Sequence, residues 1–333
     1  MLEYLFLNGF EKLEIQNDPE YKKGYTVYYK KCTDKTKRKN KPVLIVYSYI
    51  TRAYGLNLDP ENSMLKKILD KGGDVYLLDW GNEGMLSHQI GWELKTYVDK
   101  IDIVIQKLKK EYKIEKLNLY SICAGTSLLL YYLEKYPNNI HKIFFNDLIL
   151  FFERDCESKA TLILLNRLRK FYGPFLQFIP EFPMHLVTLL FILNSTTPIM
   201  IGHVNENVIK ESGWEMFNKM LLWAIDQRNF STSVWFEVLK SVDDVEKMKE
   251  EEHTKRLEKV FKQNHGLKFF NLIAQDDYIV KPSTSSIIVN DDQILATDFH
   301  RQELTETGHF MFVRKCTKET EHYKDLGIRW LLR

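Results

Sequence analysis

The stretch Leu117-Asn-Leu-Tyr-Ser-Ile-Cys-Ala-Gly125, continued by Thr-Ser-Leu-Leu-Leu-Tyr-Tyr-Leu-Glu-Lys135, decides the fold class of this chain. Lys116 to Tyr120 reads as a short apolar strand. Thr126 to Tyr136 reads as a Leu-rich helix, closed by Pro137-Asn-Asn139. Between them the chain turns sharply at Cys123, with a small residue two before (Ser121) and two after (Gly125). A strand that runs almost directly into a helix is a βα unit, and such units pack as a parallel sheet covered by helices.

Outward from this point the alternation repeats. Pro42 to Tyr47 is the continuous apolar run expected of a strand buried on both faces. Asn62 to Asp70 reads as a helix with Ser63 at its start and Lys71-Gly-Gly73 at its end. Asp74 to Asp79 is the next strand. Glu93 to Tyr112 is a helix with Tyr97, Ile101, Val104, Ile105 and Leu108 at helical spacing. His141 to Asn146 is a further strand. From about Leu148 to Arg228 the alternation disappears, and a segment rich in Phe, Leu and Pro reads as an inserted helical cap. Its most apolar run, Met184 to Asn194, is about half the ~20 residues that span a bilayer, so it reads as a buried helix or lid element. Asp243 to Gln263 is a charged helix, Leu267 to Ala274 a strand, and Tyr323 to Leu332 an amphipathic helix. The expected organisation is an α/β core of residues 1–147 and 229–333, with a mostly parallel sheet and helices on both faces, interrupted by a cap over 148–228.

Composition narrows the function classes. The 333 residues carry 47 Lys and Arg against 45 Asp and Glu, a net charge of +2. That balance argues against a dedicated nucleic-acid binder, which needs a concentrated basic face. The basic run Lys35 to Lys41 reads as a solvated strand-connecting loop. Apolar residues at 44% and charged ones at 28% exclude wholesale disorder. The aromatic share of 13% points to a large core or an apolar pocket. Cys32, Cys123, Cys156 and Cys316 are far apart and form no C-x-x-C pair, which argues against zinc and dithiol redox sites. A reduced, cytoplasmic setting is expected, and the first fifteen residues lack the basic start of a signal peptide. No phosphate-cradling glycine motif and no metal-ligand spacing occurs, so no cofactor and no metal is expected.

The chemistry centres on Cys123. Small residues at −2 and +2 around a nucleophile on a strand-to-helix turn are the layout of the elbow G-x-S-x-G, here with Cys for Ser and Ser for the first Gly. The side chains at −2 and +2 approach each other and must be small. The start of the following helix favours negative charge developing at the sulfur. Read alone, Cys123 is equally well an inert buried thiol. In this architecture an acid and then a His follow the nucleophile. Gln275-Asp-Asp-Tyr278 lies just past a late strand, at the carboxyl edge of the sheet where sites form. Farther on, Thr307-Gly-His-Phe310 places His309 in a loop. Two main-chain donors are needed for the oxyanion: the N–H of Ala124, and one from the loop after the first buried strand, at Tyr49.

Taken in order, these segments resemble the catalytic subunit of polyhydroxyalkanoate synthases of the class III and class IV type, members of the α/β-hydrolase superfamily. Asp74-Val-Tyr-Leu-Leu-Asp-Trp-Gly81 is very similar to the family's D-V-Y-L-I-D-W-G. Leu117 to Gly125 resembles its strand and G-x-C-x-G box, and Leu44 to Leu58 its first buried strand and Arg-bearing loop. Trp223-Ala-Ile-Asp226 resembles a Trp-containing cap element. Ala274-Gln-Asp-Asp277 resembles the family's A-x-x-D, which selects Asp277 over Asp276, and Gly308-His309 its Gly-His. The resemblance implies Cys123 as acyl-accepting nucleophile, His309 as general base and Asp277 as its support. It implies 3-hydroxyacyl-coenzyme A as substrate, a growing polyester as product, and a second synthase subunit as partner. A dimer at the polyester granule surface is the corresponding expectation. The chain departs from the family at Ser121 (usually Gly), at Thr126 (commonly Gly), at Tyr278 (typically His) and over Asn146-Asp-Leu-Ile-Leu-Phe151, where a T-P-V-D-F-like stretch is usual. A Cys-dependent thioesterase or polyester hydrolase, and a non-catalytic granule- or partner-binding relative, are the competing readings.

Overall fold

The structure, a computed structural model, describes residues 3–39, 41–49, 51–60, 63–81, 89–149, 181–182, 214–216, 218–220, 222–223, 226, 230–234, 237, 250–277, 282–286, 288–290, 293–294, 299–305 and 318–333. Its elements are α1 (Glu3–Phe6), β1 (Glu11–Lys12), β2 (Thr26–Lys30), β3 (Lys41–Val46), α2 (Met64–Asp70), β4 (Gly73–Asp79), α3 (Leu94–Tyr112), β5 (Leu117–Ile122), α4 (Ala124–Lys135) and β6 (Ile140–Asn146). They continue with β7 (Glu181–Phe182), β8 (Phe230–Ser231), α5 (Glu250–Gln263), β9 (Lys268–Ala274), α6 (Pro282–Ser285), β10 (Ile288–Asn290), β11 (Gln293–Ile294), β12 (Phe299–Thr305) and α7 (Lys318–Leu332). A 3₁₀ turn, Ala53–Asn57, follows β3.

Eight strands form one sheet in the order β1-β2-β4-β3-β5-β6-β9-β12. From β4 to β12 every neighbouring pair is parallel; β2 pairs antiparallel to β4, and β1 to β2. β4 and β5 are buried along their whole lengths, as a parallel sheet covered on both faces requires. Successive side chains alternate between two cores. Leu44 and Val46 face α3, α4 and α5, through Ile101, Val104, Leu108, Leu129 and Phe261. Val43 and Ile45 face α2 and α7, through Leu65, Ile68, Ile328 and Leu331. Gly327 allows α7 to lie flat on the sheet, because a Cβ there would meet the Phe144 ring at 2.6 Å.

The expected strands and helices of the core are present, with shifted ends. Ser63 caps α2, its Oγ accepting the Lys66 N–H at 2.9 Å, a contact worth about 1 kcal/mol. α4 starts at Ala124 rather than Thr126, β5 runs to Ile122 rather than Tyr120, and α7 starts at Lys318 rather than Tyr323. The basic run 35–39 is exposed between β2 and β3. The expected cap lies almost wholly outside the described residues, as do the apolar run 184–194, Cys156, Cys316, Tyr278 and His309. Among the described residues no helix is long and apolar enough to cross a membrane.

Candidate active site

The carboxyl ends of β3, β5 and β6 come together at the turn around Cys123. This residue joins β5 directly to α4 with φ 50° and ψ −131°, a left-handed backbone rarely taken by a side-chain-bearing residue. Such a conformation costs about 1–3 kcal/mol and is held only by its surroundings. Those surroundings are hydrogen bonds on both sides. The Cys123 N–H donates to the Asn146 carbonyl at 3.2 Å, and its carbonyl accepts from the Thr126 N–H at 2.9 Å. The Thr126 hydroxyl also donates to the Cys123 carbonyl, at 2.6 Å. The thiol is half-buried, unlike the buried Cys32. This strained strand-to-helix turn has the backbone layout of the expected elbow.

The two small positions converge on one atom. Ser121, fully buried, donates its hydroxyl to the Val46 carbonyl at 2.8 Å. A Cβ at Gly125 would sit 2.4 Å from the same oxygen. Serine at −2 is therefore accommodated by a hydrogen bond to the end of β3, while glycine at +2 is obligatory.

From the elbow a chain of hydrogen bonds runs across the carboxyl edge. Asn146, which accepts the Cys123 N–H, ends β6; its side-chain Oδ1 accepts the Tyr120 hydroxyl at 2.9 Å. Asp147, fully buried and at φ 52°, donates its N–H to the Leu272 carbonyl at 3.0 Å. Its Oδ1 accepts the Ala274 N–H at 2.9 Å. Ala274 begins the turn that carries the sequence-predicted acid: the Asp277 N–H donates to the Ala274 carbonyl at 3.3 Å. Asp277 is buried, whereas Asp276 is exposed. The Gln275 N–H reaches the Thr305 carbonyl at 2.8 Å, at the end of β12 and four residues before His309. The structure thus brings the Cys123 elbow, the Asp277 turn and Thr305 to one edge; His309 lies outside the described residues.

Ala124 is the first residue of α4, next to the thiol, and Tyr49 is half-buried three residues past the end of β3. The side chains of this loop escaped sequence reasoning, which asked only for its main chain. Burial pushes the Tyr47 and Tyr49 phenols up, and each also interacts electrostatically with Cys123. Both phenols stay neutral beside Cys123. Their signal in the sequence was an aromatic pair flanking Ser48, indistinguishable there from core. Asn146 and Asp147 were equally hidden, because they act through strands distant in sequence.

Beyond Tyr49 the loop is anchored by charge and by the Trp223 segment. Arg52 pairs with Asp79 at the end of β4 at 3.4 Å, both buried. The Trp223 indole N–H donates to the Arg52 carbonyl at 2.8 Å, and the Tyr54 hydroxyl to Asp226 at 2.7 Å. Gly55 is needed under this contact, since a Cβ would lie 2.7 Å from the Trp223 ring.

No protein-family model matches the chain. Among curated proteins it is similar to the poly(3-hydroxyalkanoate) polymerase subunit PhaC of Haloferax mediterranei, 24% identical over 252 residues, covering 73% of this chain and 50% of that protein. The PhaC subunit of Haloarcula marismortui is also 24% identical, over 275 residues, covering 80% of this chain and 56% of that protein. The chain spans about half the length of these curated relatives. Among solved structures, an alpha/beta fold family hydrolase from Bacillus anthracis superposes with a TM-score of 0.54 at 13% identity, covering 97% of this chain and 99% of that one. The chain has the α/β-hydrolase fold, and in sequence it is similar to the PhaC subunits of poly(3-hydroxyalkanoate) polymerases.

Proposed function

We propose that the chain is the catalytic subunit of a poly(3-hydroxyalkanoate) synthase, with Cys123 as nucleophile, His309 as general base and Asp277 as the carboxylate that orients it. The observation that carries this reading is the strained Cys123 elbow, hydrogen-bonded through 146–147 to the buried Asp277 turn. The similarity to PhaC subunits supplies the substrate class. In this reading the Cys123 proton passes to His309, and the thiolate adds to the thioester carbonyl of 3-hydroxyacyl-coenzyme A. The main-chain N–H groups of Ala124 and Tyr49 hold the oxyanion. The carbon–sulfur bond to coenzyme A breaks, and its thiolate leaves with the proton from His309. Thioester is exchanged for thioester, so the acyl group stays activated on the protein. The 3-hydroxyl of another acyl unit then gives its proton to His309 and attacks, breaking the bond to Cys123. General-base help of this kind is worth about 10²–10⁴-fold. Hydrolysis is avoided only if water is kept out, a task this reading gives to the cap segment 148–228. A second subunit, dimerisation and work at the granule surface belong to the same proposal; no cofactor enters any step.

The test is coenzyme A release from 3-hydroxybutyryl-coenzyme A, wild type against Cys123→Ala, with the acyl product collected. Cys123-dependent release with an insoluble polyester is the expected result. Cys123-dependent release of free 3-hydroxybutyrate would replace the synthase reading with a hydrolase. No release, with or without an added partner subunit, would overturn both in favour of a binding role.

A further inference from the structure

We propose that Asp147 is a positioning residue that fixes the acid-bearing turn against the nucleophile elbow. The inference deepens the reading of Cys123 and Asp277 given above and rests on it. Asp147 is fully buried at the carboxyl edge of the sheet, between the two segments that carry those residues. It follows Asn146, whose carbonyl accepts the Cys123 N–H. Two residues on, the Ile149 N–H donates to the Thr126 hydroxyl at 3.1 Å, the same hydroxyl that donates to the Cys123 carbonyl. Residues 146–149 are therefore tied to the elbow twice. On the other side Asp147 is tied twice to β9, through its own N–H to Leu272 and through its carboxylate to Ala274.

The second of these bonds is the informative one. The Ala274 N–H is the last of β9 before the turn to Asp277, and the Ala274 carbonyl accepts the Asp277 N–H. One side chain thus fixes both the level and the tilt of the peptide from which the acid turn starts. The backbone of Asp147 is left-handed, at φ 52°. Asp and Asn tolerate that conformation because their short polar side chains bond locally. Ordinary strand-end packing would not ask for a buried carboxylate here; an acceptor aimed at the Ala274 N–H does.

The experiment measures alkylation of Cys123 by iodoacetamide as a function of pH, read by mass spectrometry of its peptide. It compares wild type, Asp147→Gly, Asp147→Asn, Asp277→Asn and the double variant Asp147→Gly/Asp277→Asn. Glycine removes the acceptor yet accepts the positive φ, and asparagine keeps an oxygen for the Ala274 N–H. The expected result is that Asp147→Gly slows alkylation near neutral pH at least about tenfold and shifts its pH profile, as displacement of a reacting group does. Asp147→Asn stays close to wild type, and the double variant is no slower than Asp277→Asn, because both act through one turn. A wild-type profile for Asp147→Gly overturns the proposal, and so does an additive loss in the double variant. A purely structural role would lower the melting temperature of Asp147→Gly and leave the profile in place. If Asp147→Gly does not fold, Asp147→Asn decides: a slowed rate in that variant overturns the assignment. Alkylation needs no acyl substrate. Failure of the synthase reading would therefore show as absent coenzyme A release with the Asp147 dependence intact.

Discussion

The Val46 carbonyl oxygen is the atom on which the elbow turns. It accepts the Ser121 hydroxyl and lies where a Gly125 methyl would fall. The need for small residues on either side of Cys123 was legible in the sequence. Why serine suffices at one of them was not, because its partner is a main-chain oxygen 75 residues away on β3. Ser121→Gly, which places there the glycine of the G-x-C-x-G box the segment resembles, removes that bond at a cost of about 1 kcal/mol. Glycine within a strand adds about 0.5–1 kcal/mol. The expected outcome is a melting temperature lower by a few degrees, measured calorimetrically, with Cys123 alkylation unchanged. An alkylation rate that falls with Ser121→Gly would mean the hydroxyl tunes the Cys123 thiol rather than the fold.

Elements were read well where their period was strong and poorly where neighbours decide their ends. β5 and α4 extend into the elbow because Ser121 and Ile122 pair with β3 or β6, so residues that read as a loop complete a strand. β12 was missed: Phe-His-Arg-Gln-Glu-Leu-Thr305 is too charged for a core strand, and among the described residues it lies at the sheet edge, paired with β9 alone. Between α3 and α4 the packing is finished by ions. Burial alone would raise the Asp99 carboxyl, but hydrogen bonds from Lys135, Tyr136 and Lys95 hold it down at about 2. A carboxyl with a depressed folded value stabilises the fold above its unfolded value of 3.8 and loses that contribution as pH falls toward 2. Asp99→Asn is therefore expected to lower the melting temperature at pH 6. The gap to wild type should close by about pH 2, as a melting series in pH would show. A gap constant in pH would mean packing, not charge, joins the two helices there.

At the scale of the whole molecule the sheet separates two chemistries. The candidate site occupies the carboxyl edge, and cations gather at the amino edge, at Lys41 of β3, His141 and Lys142 just inside the start of β6, and Lys268 of β9. The His141 imidazole is held below its ordinary 6.5 first by partial desolvation and then by Lys142, Lys268, Lys41 and Lys116. The folded state thus binds fewer protons than the unfolded one just below 6.5, so this residue makes stability rise with pH across that window. Raising salt from about 0.01 M to 1 M shrinks the screening length from roughly 30 Å to 3 Å. The His141 value should then climb toward 6.5, as an NMR titration at the two salt levels would record; a value insensitive to salt would assign the shift to desolvation alone. The α/β alternation could be read from the chain, and so could the placing of Cys123 and Asp277 at the ends of strands. The lacing between them could not, since main-chain partners leave no mark in residue identity. That lacing has a consequence for which substitutions the chain tolerates. Gln275 is exposed, and among the described residues its hydrogen bond is made by its N–H, to Thr305. The position is open to almost any residue except proline, so divergence at the site's rim can run far while its framework stays put.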